Sequence, residues 1–216
     1  MAKTSAPLLS FDADGSVAKT VVYSRWRGIR YARRHVVPAN PRTTAQQTTR
    51  NTFATLREMW KLAPVLVIAP WNAFATGRQF LGLNAFIGEN LRVVRGEPDM
   101  QNFIGSPGAR GGLPPTEMTA VAGGSAGEID VTFTTPTPPD GWTLEAAVAM
   151  AFPDQDPAVD FAGPMVAAEV TSAPYEIVLS DLAAESHIVS GWLRWSKPNG
   201  ETAYSVGITT TATPTA

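Results

Sequence analysis

The side chains able to do chemistry are few and scattered. His35 and His187 are the two histidines, 152 positions apart, and none of the 216 residues is cysteine. Thiolate catalysis, disulfide frameworks, zinc ribbons and iron–sulfur ligation are thereby excluded. Ser186-His187 is a bare dipeptide without a nucleophile elbow. Asp154, Asp156 and Asp160 offer the oxygens that calcium takes, but their run lacks the glycine and distal glutamate of an EF-hand and reads as a solvated loop. Gly123-Gly-Ser-Ala-Gly127 has the glycines of a phosphate loop without its lysine and hydroxyl, and reads as a turn between two strands. Carboxylate neighbours such as Asp154 and Asp156 carry no defined separation for glycoside hydrolysis. The expectation is a protein that is not an enzyme and takes no cofactor or metal.

The residues that remain must act by position. Hydrophobic residues make up 44% and charged residues 17%, enough apolar material for a core and too little charge for a self-repelling disordered chain. No run approaches the roughly 18–20 apolar residues that span a bilayer, nor does the start resemble a secretory signal, so a soluble, unexported protein is expected. Charge is segregated along the chain. Residues 1–95 hold fourteen Lys and Arg against four acids, a net of +10, and residues 96–216 hold three against fifteen, a net of −12. Two modules with different neighbours follow. The Gly- and Pro-rich tract 96–115 is the expected linker between them.

In the basic module, residues 17–24 and 29–37 are rich in β-branched and aromatic side chains and flank Arg25-Trp-Arg-Gly28, the pattern of a β-ribbon. Such a ribbon is marginal alone and needs something to pack on. Pro38 and Pro41 stop it. Thr43 or Thr44 caps a helix predicted over 43–62, with Ala45, Thr49, Thr52, Phe53, Leu56, Met59 and Trp60 on one side. Pro64 ends it, Pro70-Trp71 opens a short second helix closed by Gly82, and a third is predicted over 83–95 with Phe86, Ile87, Leu91 and Val94.

The tracts Trp26-Arg-Gly-Ile-Arg-Tyr-Ala-Arg33, Pro38-Ala-Asn-Pro-Arg-Thr43, Ala45-Gln-Gln47, Pro70-Trp-Asn-Ala-Phe74 and Gly82-Leu-Asn-Ala-Phe-Ile-Gly-Glu-Asn90 resemble poorly characterised virion structural proteins of tailed phages and prophages. The resemblance covers about residues 15–92; where such proteins carry a Leu/Thr-Asp-Ala-Gln-Arg tract, this chain has Pro64-Val-Leu-Val-Ile-Ala-Pro70. It brings no catalytic residues. It implies a place in a phage particle, assembled in the bacterial host cytoplasm, with other phage structural proteins as partners.

Arg25, Trp26, Arg27, Arg30, Tyr31, Arg33, Arg34, Arg42 and Arg50 form the candidate interface. Arginine at ordinary surface positions explains some of them. Guanidinium groups also make bidentate contacts with carboxylates of an acidic protein surface. They serve phosphate backbones too, with Trp26 and Tyr31 stacking on bases, although no nucleic-acid motif accompanies them. In extended chain, Arg25 and Arg27 fall on one face and Trp26 on the other.

From Thr116 the chain turns to short β-like runs: 118–122, 128–135, 144–152, 165–170, 175–179, 187–196 and 203–210, with Lys197-Pro-Asn-Gly200 as a hairpin turn. Ile129, Val131 and Phe133 alternate with Asp130, Thr132 and Thr134, as in a strand buried on one side. The expected fold class is α+β: a basic β-ribbon and short helices over 1–95, then an immunoglobulin- or fibronectin type III-like sandwich over 116–216 with a frayed Thr-rich end. The expected function is a homo-oligomerising phage structural protein that docks by its basic module into a capsid, neck or tail and displays the sandwich. Alternatives are a nucleic-acid-binding module and an adhesin using Trp142, Trp192 or Trp195 on sugars. No membrane partner is expected.

Overall fold

Extended, β-branched sequence at the N-terminus gives a ribbon, as its composition requires. The computed structural model describes residues 2–3, 15–26, 29–37 and 40–216. The chain divides into two units, Met1–Arg42 and Thr43–Ala216. In the first, β1 (Ala2–Lys3), β2 (Gly15–Val17), β3 (Val21–Trp26) and β4 (Ile29–Arg34) form an antiparallel sheet in the order β1-β4-β3-β2. Ala18 and Lys19, both at positive φ, turn β2 into β3, and the Thr20 N–H donates to Val17 O at 2.9 Å. None of the described residues of this unit whose burial is defined is buried.

The second unit opens with helix α1 (Thr44–Leu62), whose Thr43 hydroxyl caps the Gln46 N–H. Thr52, Thr55, Leu56 and Met59 form its buried stripe, while Phe53, expected on that side, is 46% exposed. Helix α2 (Val65–Ala75) departs from expectation, since it starts five residues before Pro70 and carries that proline inside it. Pro64 instead takes the N-cap position, where a missing N–H costs nothing. Burial of Val67, Pro70, Trp71 and Ala75 at helical spacing outweighs the one ladder bond that Pro70 removes. Gly77, at φ +77°, follows the end of α2. Gly82, expected to close that helix, begins α3 (Gly82–Val94). There a Cβ would lie 3.0 Å from Asn72 N and 3.1 Å from Trp71 C, so glycine eases the close approach of the two helices.

The remaining strands are β5 (Pro107–Ala109), β6 (Glu117–Ala122), β7 (Ile129–Thr134), β8 (Thr143–Pro153), β9 (Val166–Val170), β10 (Glu176–Leu179), β11 (His187–Ser196), β12 (Thr202–Val206) and β13 (Ile208–Ala212). All seven expected strands are present, the last split in two. One sheet has the order β10-β7-β6, the other β5-β12-β11-β8-β9 with β13 also on β11. Because β9 pairs with β8 and not with β10, the arrangement follows the fibronectin type III style rather than the constant immunoglobulin one. The register on β11 shifts by one between β12 and β13, leaving Gly207 as a bulge.

Strands β8 and β11 are buried on both faces, and this fixes the architecture of the unit. In β8, Ala147, Ala149 and Ala151 face the sandwich core with Ile129, Val131, Phe133, Val189, Leu193 and Trp195. The alternate residues Val148, Met150 and Phe152 join Ile188 and Trp192 in a second core with Leu56, Met59, Trp71, Phe86 and Phe103. The helices therefore roof the sandwich's larger sheet. T-shaped ring contacts run from Trp71 through Phe86 and Phe103 to Phe152.

The tract 96–115, expected as a linker, is stitched into this unit. Trp71 Nε1 donates to Gly105 O at 3.0 Å, Trp195 Nε1 to Leu113 O at 2.9 Å, and Thr209 Oγ1 to Phe103 O at 2.8 Å. The division falls after Arg42 because the helices have no core of their own apart from the sheet. The C-terminal end is likewise tied down rather than frayed: β13 pairs with β11, and Thr215 bridges Ala126. Among the described residues no helix is long and apolar enough to cross a membrane.

Candidate docking surfaces

The ribbon gathers most of the predicted interface. Val21, Tyr23 and Arg25 pair across β3 and β4 with Arg34, Ala32 and Arg30, so these six share one face. Tyr31 and Arg33 lie on the other face with Ser24 and Val22. Arg25, Arg33 and Arg34 are exposed, Arg30 and Tyr31 half-buried. Arg25 and Arg30 already make contacts within the chain. Trp26 pairs with Ile29 at the end of the ladder, and Arg27 lies outside the described residues. Arg42 is exposed at φ +51°. Arg50 is not part of this cluster; it sits exposed on α1 in the other unit.

With the division after Arg42, the charge separation keeps its sign and is smaller in size. Residues 1–42 hold eight Lys and Arg against two acids, a net of +6, and residues 43–216 hold nine against seventeen, a net of −8. No Lys or Arg occurs between Arg110 and Arg194, a span with twelve acids. Val17, Val36 and Val37 are 48%, 65% and 79% exposed, so the ribbon also presents apolar surface.

The second unit has two kinds of surface. Between α1 and α3 runs a groove of about 600 Å³ lined by Phe53, Arg57, Leu83, Ile87, Gly88 and Leu91 among others. Nearby basic groups are partly neutralised: Lys61 pairs with Glu58 at 2.7 Å and Arg92 with Glu89 at 2.8 Å. Arg78 lies over the Phe74 ring at 3.8 Å. Opposite in character is the outward face of the β6–β7–β10 sheet, which carries Glu117, Val121, Asp130, Glu176 and Val178 with threonines between them. No helix of the second unit covers it. Its signal was the polar half of the 129–134 alternation, which marks an outward face without saying what meets it.

The other candidate chemistry is taken up in structure. Asp156 Oδ1 accepts from Ala158 N at 2.7 Å, and Asp154 Oδ1 from Met100 N at 3.3 Å. Among the described residues no three His, Asp or Glu side chains are grouped to hold a metal ion. His187 is fully buried with Nδ1 2.7 Å from Glu185 O, and Ser186 beside it is exposed. Gly123–Gly127 forms the turn between β6 and β7, its Gly123 N–H donating to Glu128 O at 2.8 Å. Trp192 and Trp195 are buried. Trp142 is half-buried, with Lys197 Nζ 4.2 Å from its ring centre. The sugar-stacking reading thus loses two of its three indoles.

Lys197 also donates to Glu201 at 2.9 Å, and this hydrogen bond holds the Glu201 carboxyl below its ordinary range. Burial of Tyr204 raises its phenol above the usual value. Both groups flank the β11–β12 hairpin and neither sits in an enclosed site.

No protein family matches the chain, and no curated protein matches it. Among solved structures, one titled "Myokine structure" is 13% identical with a TM-score of 0.32, covering 48% of this chain and 98% of that one. A solution structure of a human fourth fibronectin type III domain is 14% identical with a TM-score of 0.33, covering 50% of this chain and 83% of that one. Likeness at this level carries no weight for function, and the sandwich assignment stands on the strand pairings of the chain itself.

Proposed function

We propose that this chain is a non-enzymatic structural subunit of a tailed-phage virion, docking through its basic N-terminal ribbon into a capsid, neck or tail assembly and displaying the helix-roofed sandwich. One observation carries the docking half of this reading: a ribbon of net charge +6 in which no described residue of defined burial is buried. A sheet in which no described side chain of defined burial is buried has little to offset its ordering entropy, and gains stability by covering that surface with a partner. Its excess of guanidinium groups selects an anionic one.

The virion half rests on the resemblance. Its helical tracts supply the core under the roof, including Trp71 and Phe86, so the resemblance follows a scaffold and not a reactive site. Repeated copies in a particle add weak contacts by multivalency.

The test is incorporation. The full chain, produced with the structural proteins of its phage, is expected in purified particles, and a version lacking residues 1–42 is expected in the soluble fraction with its fold intact. Equal incorporation of both would overturn the docking role of the ribbon. Failure of the full chain to copurify with any particle would overturn the virion reading. The competing nucleic-acid reading predicts DNA binding with a steep logarithmic salt slope, and the docking reading predicts none at physiological salt.

A further inference from the structure

We propose that the uncovered face of the β6–β7–β10 sheet receives the basic ribbon of a second copy of this chain. This rests on the docking role given to the ribbon above and names what the ribbon meets.

The two surfaces match in shape. Strands β3, β4, β6 and β7 are each six residues long, about 20 Å at the usual rise. Two such sheets stack face to face at about 10 Å. The apolar parts correspond as well. Val121 and Val178 flank Asp130 in one cross-strand row and are 57% and 54% exposed. On the ribbon, Val21 and Tyr23 lie on the face that also bears Arg34.

Charge then selects this pairing over others. Glu117, Asp130 and Glu176 are in no ion pair among the described residues, and the strands that carry them contain no Lys or Arg. The helix surface, by contrast, brings arginines of its own and repels the ribbon. The sandwich's other outward face is closed by the helices. A contact between two different surfaces of identical subunits is heterologous, so it builds rings where the rotation closes and filaments where it does not. Such geometry suits a particle made of repeated copies.

The experiment measures the mass of the full chain by sedimentation from roughly 1 to 100 μM, the range that weak self-contacts occupy. Alongside it run a ribbon variant, Arg34→Glu, on the face that bears Val21 and Tyr23, and a face variant, Glu117→Lys with Asp130→Lys and Glu176→Lys. All these side chains are at the surface, and circular dichroism melts verify that both variants fold. Wild type is expected to associate, less so as salt screens the contact. Each variant alone is expected to lose association by about tenfold or more. An equimolar mixture is expected to recover heterodimers, because one variant keeps an intact face and the other an intact ribbon. If the face variant associates like wild type while the ribbon variant does not, the ribbon docks elsewhere; this inference fails and the docking role survives. Wild type that stays monomeric throughout also overturns it, and sends the ribbon to another protein, which particle incorporation reads separately. If neither variant changes the association, the inference fails and the docking role loses its support with it.

Discussion

The side chain of Asn90 pairs with the backbone of Ile104 as a neighbouring strand would: Asn90 Nδ2 donates to Ile104 O at 3.2 Å and Asn90 Oδ1 accepts from Ile104 N at 2.7 Å. A second donation, to Phe86 O at 3.1 Å, occupies the other amide hydrogen. Asn90 is fully buried, so a fixed point on α3 holds the tract that leads into the sandwich. Asn90→Leu leaves the Ile104 N–H and carbonyl unmatched, and Asn90→Asp turns two donations into repulsions. Each is expected to cost about 2–4 kcal/mol, read as a lower urea midpoint at unchanged slope.

Gly191 lies in β11 where a Cβ would stand 2.5 Å from Met118 Sδ and from the Phe133 ring. Gly191→Ala is expected to destabilise by about 1–3 kcal/mol through overpacking. A unit of this size then melts several degrees lower, at about 2–4 °C per kcal/mol. Shortening the opposing ring with Phe133→Leu in the same chain is expected to return part of the loss, a non-additivity that calorimetry resolves.

Residues 116–216, produced alone, expose Val148, Met150, Phe152, Ile188 and Trp192 without their helical roof. Aggregation or strong binding of a hydrophobic dye is expected from that fragment. Residues 43–216 are expected to remain monodisperse and unfold in one transition. A well-behaved sandwich fragment would contradict the shared core.

Lys197→Met removes the donor that holds the Glu201 carboxyl low, and the carboxyl is expected to titrate closer to its usual range in a carbon-detected NMR titration. The direction of the linkage follows. A depressed carboxyl stabilises the fold above its unfolded value of 4.5 and loses that contribution as pH falls through the folded value. The variant should therefore show a flatter stability profile below that point. Glu201 is exposed to solvent screening, so the flattening and the matching loss of stability near neutrality should both be small.

Alternation and turn residues made the strands legible, and the 3.6-residue period made α1 legible. Three features were not. Pro70 signals a helix start, but the stripe Val67, Pro70, Trp71 and Ala75 gains enough burial to carry the helix across it. The tract 96–115 has the composition of a linker, because nothing in its own residues reveals that the side chains of Trp71, Asn90, Trp195 and Thr209 bind its backbone. The run 146–152 hides its alternation, since alanines face one core and larger residues the other. Of the candidate interface, the ribbon arginines are legible as members of two adjacent strands, but the split that puts Arg25, Arg30 and Arg34 on one face and Arg33 on the other needs the cross-strand register. Sequence proximity and charge group Arg50 with them, and neither sees the division after Arg42.

Enclosure of β8 and β11 on both faces has a consequence for solvent isotope labelling. Amides in the middle of these strands exchange with deuterium only when the whole unit opens, whereas those of β3 and β4, in a sheet where no described side chain of defined burial is buried, exchange through local fraying. The protection profile should thus have two tiers. The upper one reports the fold and stays fixed, and the lower one rises only on engagement with a neighbour, which makes the N-terminal amides a gauge of assembly at residue resolution.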